Sequence, residues 1–145
     1  MAKTLFTLLN TTAEFHLNGP DGEPLFADDE NTQPVMVRVQ SGNIPTIKAK
    51  AQDASAYIHM AGKADKAEEL IKHLKSAEKA AEEIAGLALV GWSHDEVFGG
   101  PYTPDYAKEL TKRADMDFLR TQINTFVGNQ SNFFRAKPSL VASNT

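Results

Sequence analysis

The stretch "GWSHDEVFGGPYTPDYAKEL", residues 91–110, gathers the groups best able to do chemistry. It holds the only tryptophan, and Ser93, His94, Asp95 and Glu96 follow it in one run. A serine beside a histidine and two carboxylates could supply a nucleophile, a base and an acid. The spacing argues against that use. His94 and Asp95 are neighbours, and adjacent side chains on a helix do not face each other, so they are no ready-made dyad. Ser93 and Glu96 have the S-x-x-E spacing of a capping box, which satisfies two backbone donors at a helix start. Gly99 and Gly100 precede Pro101 without phosphate-loop spacing, and such a triplet permits a sharp change of direction. No G-x-S-x-G elbow occurs. The segment therefore reads as a joint between helices, with His94 as a surface or capping residue. General-base use of His94 is the enzymatic alternative.

Metal and cofactor chemistry fares no better. The histidines are His16, His59, His73 and His94. His59 and His73 would stand about 21 Å apart on one continuous helix. No HExxH or EF-hand spacing is present, and the acidic run "DGEPLFADDE" lacks the alternating ligands of a calcium loop. The chain has no cysteine, which excludes disulfides, cysteine-zinc sites and thiol nucleophiles and fits a reducing compartment. No catalytic residue, metal or cofactor is expected.

The elements that would position these residues follow from patterning. With 145 residues and a net charge of −4, the chain suits one domain over residues 1–135. Charges are interleaved, so neither nucleic acid nor an anionic membrane is the expected partner. No apolar run approaches the ~20 residues of a membrane span. The opening "MAKTLFTLLNTT" has a short apolar patch broken by threonine and no small-residue cleavage site, so it is not read as a signal peptide. Residues 1–43 read as β or extended. In "AEFHLN", Phe15 and Leu17 share one face, and in "VMVRV" Val35, Val37 and Val39 do the same. Asp21-Gly22 can close a tight turn between them.

From Pro45, apolar residues take helical spacing through Ile47, Ala51, Ala54, Ile58 and Ala61. After Gly62 the pattern resumes through Leu70, Leu74, Ala77, Ala81 and Ile84. Two helices, or one long helix kinked near Gly62, both satisfy it. The Ala-rich seam suits either an intramolecular helix hairpin or a contact between subunits. Thr103 is an N-cap with Pro104 at the first helical position. A last helix begins at Asp115 or Asp117 and carries Phe118, Ile123 and Phe126 on one stripe. Trp92 is expected in the corner between the long helix and this pair. Phe133 and Phe134 either dock on the domain or face a partner. Residues 136–145 read as a disordered tail. The fold class is α+β, mainly α: a small N-terminal antiparallel β segment, then the long helical part over 44–135 ending in two shorter helices.

The order of these parts resembles the tail assembly chaperones of long-tailed bacteriophages, related in role to the lambda tail assembly G protein. The resemblance covers roughly residues 13–134. It rests on "FHLNGPDGEPL" with "VMVRVQSGNIPTIKAKA", on "AEEIAGLALVGW", and on "PYTPDYAKEL" with "LRTQINTFVGNQSNFF". It implies a non-enzymatic, mainly helical protein of the host cell cytoplasm that self-associates and keeps the tape measure protein soluble during tail assembly. The polar insertion "ADDENTQP" and the doubled Phe133-Phe134 depart from the pattern. Candidate self-association or partner contacts are Leu70, Leu74, Ala77, Ala81, Ile84, Trp92, Phe133 and Phe134. A structural tail or neck component retained in the virion is the alternative, and a small enzyme is the other.

Overall fold

The computed structural model describes residues 11–133. Leu8, Leu9 and the rest of the opening segment, Phe134 and the tail at 136–145 lie outside them. Strand β1 (Thr12–His16) pairs antiparallel with β2 (Met36–Gln40), with Phe15 opposite Val37 and Ala13 opposite Val39. Alternation puts Val35, Val37 and Val39 in the core together with Leu17, all fully buried. Each such side chain stabilises the fold by about 1.5–3 kcal/mol relative to exposure. On the other face Arg38 meets Glu14 at 3.5 Å in an exposed pair. Between the strands, Gly19 to Glu23 forms the turn, Gly22 N–H donating to the Gly19 carbonyl.

Helix α1 (Pro45–Gly62) starts with its proline in the first turn, and α2 (Ala67–Ala88) folds back antiparallel along it. The sequence pattern allowed a single kinked helix. The structure instead has two helices, broken at residues 63–66, where Lys63 and Ala64 N–H groups cap α1 on the Met60 and Ala61 carbonyls. Small residues on the two helices, Ala61 on α1 and Ala77 and Ala80 on α2, are buried. Lys50 bridges across to Glu83 at 3.3 Å.

A third strand, β3 (Leu89–Trp92), follows α2 directly and pairs antiparallel with β2, giving the order β1-β2-β3. This corrects the expectation that all β structure ends near residue 43. Leu89 sits opposite Val39 and Gly91 opposite Arg38, so one residue is bulged. A four-residue strand directly after a helix carries too few alternations to register as a period.

The chain then makes a short helix α3 (Asp95–Phe98), helix α4 (Pro104–Lys112), a 3-10 turn (Ala114–Met116), helix α5 (Asp117–Val127) and a second 3-10 turn (Gln130–Phe133). Thr103 caps α4 as expected, its hydroxyl accepting Tyr106 N–H at 3.0 Å. One core joins the sheet to α4, α5 and the C-terminal half of α2. Leu110, Leu119, Ile123 and Phe133 are fully buried in it.

Candidate functional site

The stretch that opened the sequence reading is indeed a joint, but it is built differently from the expectation. Trp92 is half-buried. Its ring stacks on Phe98 with centroids 4.6 Å apart and meets the edges of Tyr102 and Tyr106 at 5.3 and 5.8 Å. The indole N–H donates to Asp95 Oδ1 at 3.0 Å and to the Gly100 carbonyl at 3.2 Å. Tyr102 Oη donates to the Leu89 carbonyl at 2.7 Å, and its burial pushes the phenol's pKa up. Tyr106 Oη donates to the Phe98 carbonyl. Four aromatic rings, three of them with satisfied polar tips, thus lock β3, α3 and α4 together.

The Ser93–Glu96 capping box does not form. His94, not Ser93, stands at the N-cap of α3 and makes no side-chain cap bond. Ser93 Oγ instead accepts Met36 N–H at 2.9 Å and lies 2.6 Å from His94 Nδ1. His94 Nε2 reaches Gln33 Oε1 at 3.3 Å. The chain Ser93–His94–Gln33 clips the 28–33 loop to the end of β3. Within that loop the Asp28 carboxylate takes hydrogen bonds from the Thr32 hydroxyl and from Gln33 and Thr32 N–H, which hold its pKa below the ordinary aspartate range.

No group of three or more His, Asp or Glu among the described residues is placed to hold a metal. His59 and His73 lie on two antiparallel helices, so the separation on a continuous helix does not apply to them. No helix among the described residues is long and apolar enough to cross a membrane.

The site with unspent surface is the far end of the α1–α2 hairpin. Helix α2 has 22 residues, about 33 Å, whereas α4 and α5, which cover it, have 9 and 11. The buried residues of α2 accordingly begin at Ala77. The hairpin therefore overhangs the body as an arm. Its apolar side chains keep helical spacing past the core: Ile58 is 59% exposed, Leu70 40%, Ile71 52% and Leu74 47%. The predicted contact residues divide along this line. Leu70 and Leu74 stand exposed on the arm. Ala77 is buried, and Ala81 and Ile84 are half-buried within the chain. Trp92 and Phe133 belong to the body, Phe133 being packed edge-on to Phe126 at 5.7 Å. Ile58 and Ile71 were missed as surface candidates. Counting residues from the break at Gly62 to the first core contact would have found them.

Where arm meets body, a cavity of about 230 Å³ is lined by Ile47, Ala51, Ile84 and Val127 with Gly42, Asn43, Asn124 and Gly128. Asn124 Nδ2 donates to the Ala81 carbonyl at 3.1 Å, while its buried Oδ1 has no hydrogen-bond partner.

No protein-family model matches the chain, and no curated protein or solved structure shows significant similarity to it.

Proposed function

We propose that this chain is a binding protein rather than an enzyme: a tail assembly chaperone of a long-tailed bacteriophage that holds the tape measure protein in the host cytoplasm. The observation that carries the reading is the overhanging arm, with Ile58, Leu70, Ile71 and Leu74 exposed on one end of the helix pair. An apolar stripe of this kind suits an amphipathic helix with anchors at i, i+3, i+4 and i+7. One arm offers few contacts, so self-association would multiply weak contacts into avidity along a long helical client. Lys63, Lys66, Glu68, Glu69, Lys72 and Lys75 surround the stripe with mixed charge, which opposes clumping of the complex. The order of elements quoted from the sequence supports the same family.

Co-expression with the phage's large coiled-coil tape measure protein tests this. The wild-type chain is expected to raise the client's soluble yield, and Leu70→Glu/Leu74→Glu to lose that effect while staying folded. No gain from the wild type would sink the chaperone reading. A full gain from the double variant would move the binding surface off the arm. Finished particles are expected to lack the chain; finding it there favours a retained structural component.

A second reading rests on the 2.6 Å Ser93–His94 contact, since a base holding a hydroxyl is how serine nucleophiles are activated. A serine-directed covalent probe that labels Ser93 in the wild type and not in His94→Ala would favour it.

A further inference from the structure

We infer that the outer edge of β1 is a strand-addition site for an extended peptide, with one apolar residue of that peptide seated against Phe15 and Phe126. The inference is independent of the arm and of the chaperone reading.

Pairing with β2 divides the backbone of β1 in two. Leu17 N–H donates to the Val35 carbonyl at 2.9 Å, and the Thr11 carbonyl accepts Ser41 N–H at 2.7 Å. In an antiparallel ladder the bonding direction alternates residue by residue. The odd residues from 11 to 17 therefore face β2, and the even ones face outward. The outward groups meet two fates. At Asn18 one side chain satisfies both: Gln122 Oε1 accepts Asn18 N–H and Gln122 Nε2 donates to the Asn18 carbonyl, each at 2.8 Å. The Gln122 amide thus does for Asn18 what a residue of a neighbouring strand would do. At Glu14 and His16 the outward N–H and C=O groups have no hydrogen-bond partner among the described residues. Such an edge is a template for pairing with another chain.

Beside the open positions there is room. Gln122 brings α5 alongside this edge, and a cavity of about 340 Å³ lies between them, with Phe15 and His16 on the strand side and Thr121, Thr125 and Phe126 on the helix side. The Phe15 and Phe126 rings stand 4.8 Å apart, and both are only half-buried. In an added antiparallel strand, the residue opposite Phe15 is a close, non-hydrogen-bonded neighbour on the same face of the sheet. Its side chain therefore enters this cavity. The residues before and after it exchange N–H···O bonds with His16 and Glu14, and their side chains point to the other face. A basic residue opposite the exposed Glu14 is favoured there. Gln122 already fills the edge at Asn18, so the added strand ends beside Leu17, which fixes its register. A second β1 suits the place less well. The two-fold axis of an antiparallel pair puts both α5 helices on one face, where Thr121 and Thr125 already border the edge. A strand without a helix of its own meets no such obstacle.

The full chain, labelled with the heavy nitrogen isotope, is titrated with the blocked peptide acetyl-Thr-Thr-Leu-Lys-Thr-amide. Its leucine falls opposite Phe15 and its lysine opposite Glu14. Saturable shifts of the Glu14 and His16 amide resonances are expected. N-methylation of the peptide separates backbone pairing from burial of the leucine. A methyl on the lysine nitrogen, which faces β1, should weaken binding about tenfold. A methyl on the leucine nitrogen, which faces away, should leave it within about twofold. Absence of saturable shifts at Glu14 and His16, or equal weakening by both methyls, overturns the inference. Shifts that map to Leu70 and Leu74 instead overturn it too and place the peptide on the arm. Thr125→Trp fills the helix side of the cavity from an exposed position. It should abolish the shifts at an unchanged melting temperature, and undiminished binding by the folded variant rejects the placement. Hydrogen exchange of the free chain reads the other occupants. Fast exchange of the Glu14 and His16 amides at every concentration agrees with an open edge. Protection lost on dilution gives the edge to a second copy, and protection kept on dilution gives it to another part of the same chain; either result overturns the inference.

Discussion

Single residues decide the joint around Trp92. Gly99 sits at φ +89°, and a Cβ there would lie 2.7 Å from Tyr106 Oη. Gly99→Ala pairs a left-handed backbone with a displaced tyrosine hydroxyl, so chemical denaturation should show a loss of about 2 kcal/mol. The 28–33 loop makes a different test. Thr32 and Gln33 donors hold the Asp28 pKa below its ordinary 3.8. A carboxylate with a depressed folded pKa contributes stability that is complete above the unfolded value and lost as pH falls through the folded one. The Asp28 carboxyl should titrate with a midpoint below 3.8, and the Thr32 and Gln33 amide resonances should move with it. A midpoint at or above the ordinary value would mean these bonds are not kept in solution.

At the scale of elements, helix ends and helix contacts carry the load. Among the described α-helices, Thr103 is the one N-cap with a side-chain cap bond. Thr103→Ala should cost about 1 kcal/mol in thermal or chemical unfolding. It should also loosen Tyr106, three residues on, from the aromatic joint. The approach of α4 to α2 depends on Gly86. A Cβ at that position would lie 3.2 Å from Thr111 Oγ1 and 3.3 Å from Lys108 Cα. Gly86→Leu therefore has to part the helices, at a cost of about 1–3 kcal/mol by denaturation. Helix α2 also shows why one periodic stripe can have two fates. The same spacing that buries Ala85 and Ala88 exposes Leu70 and Leu74, because the body ends before the helix does.

Across the whole molecule, that overhang separates residues that hold the core from residues left at the surface. Ile84→Glu places a charge on the half-buried wall between arm and body, so the melting temperature should fall by several degrees. Leu74→Glu touches only exposed surface, and its effect on stability should stay within about 0.5 kcal/mol. If the arm is the contact surface, Leu74→Glu lowers oligomer mass or client binding all the same. Light scattering beside a melting curve reads both. Unchanged mass and unchanged binding for Leu74→Glu would leave the arm without a role.

Local chemistry was readable in the residues themselves. The alternation in "VMVRV", the proline starts of α1 and α4, the Thr103 cap and the three-four spacing of the helices each express a backbone or burial preference confined to a few neighbours. That is why the α+β, mainly α fold was legible. Three things needed the tertiary structure. The strand Leu89–Trp92 exists because β2 offers it an edge. Ser93 serves Met36 and His94 rather than a helix cap because that edge brings them together. The candidate site is where it is because α4 and α5 are shorter than the hairpin they cover. Periodicity says which face of a helix is apolar; only the lengths of its neighbours say how much of that face is left to water.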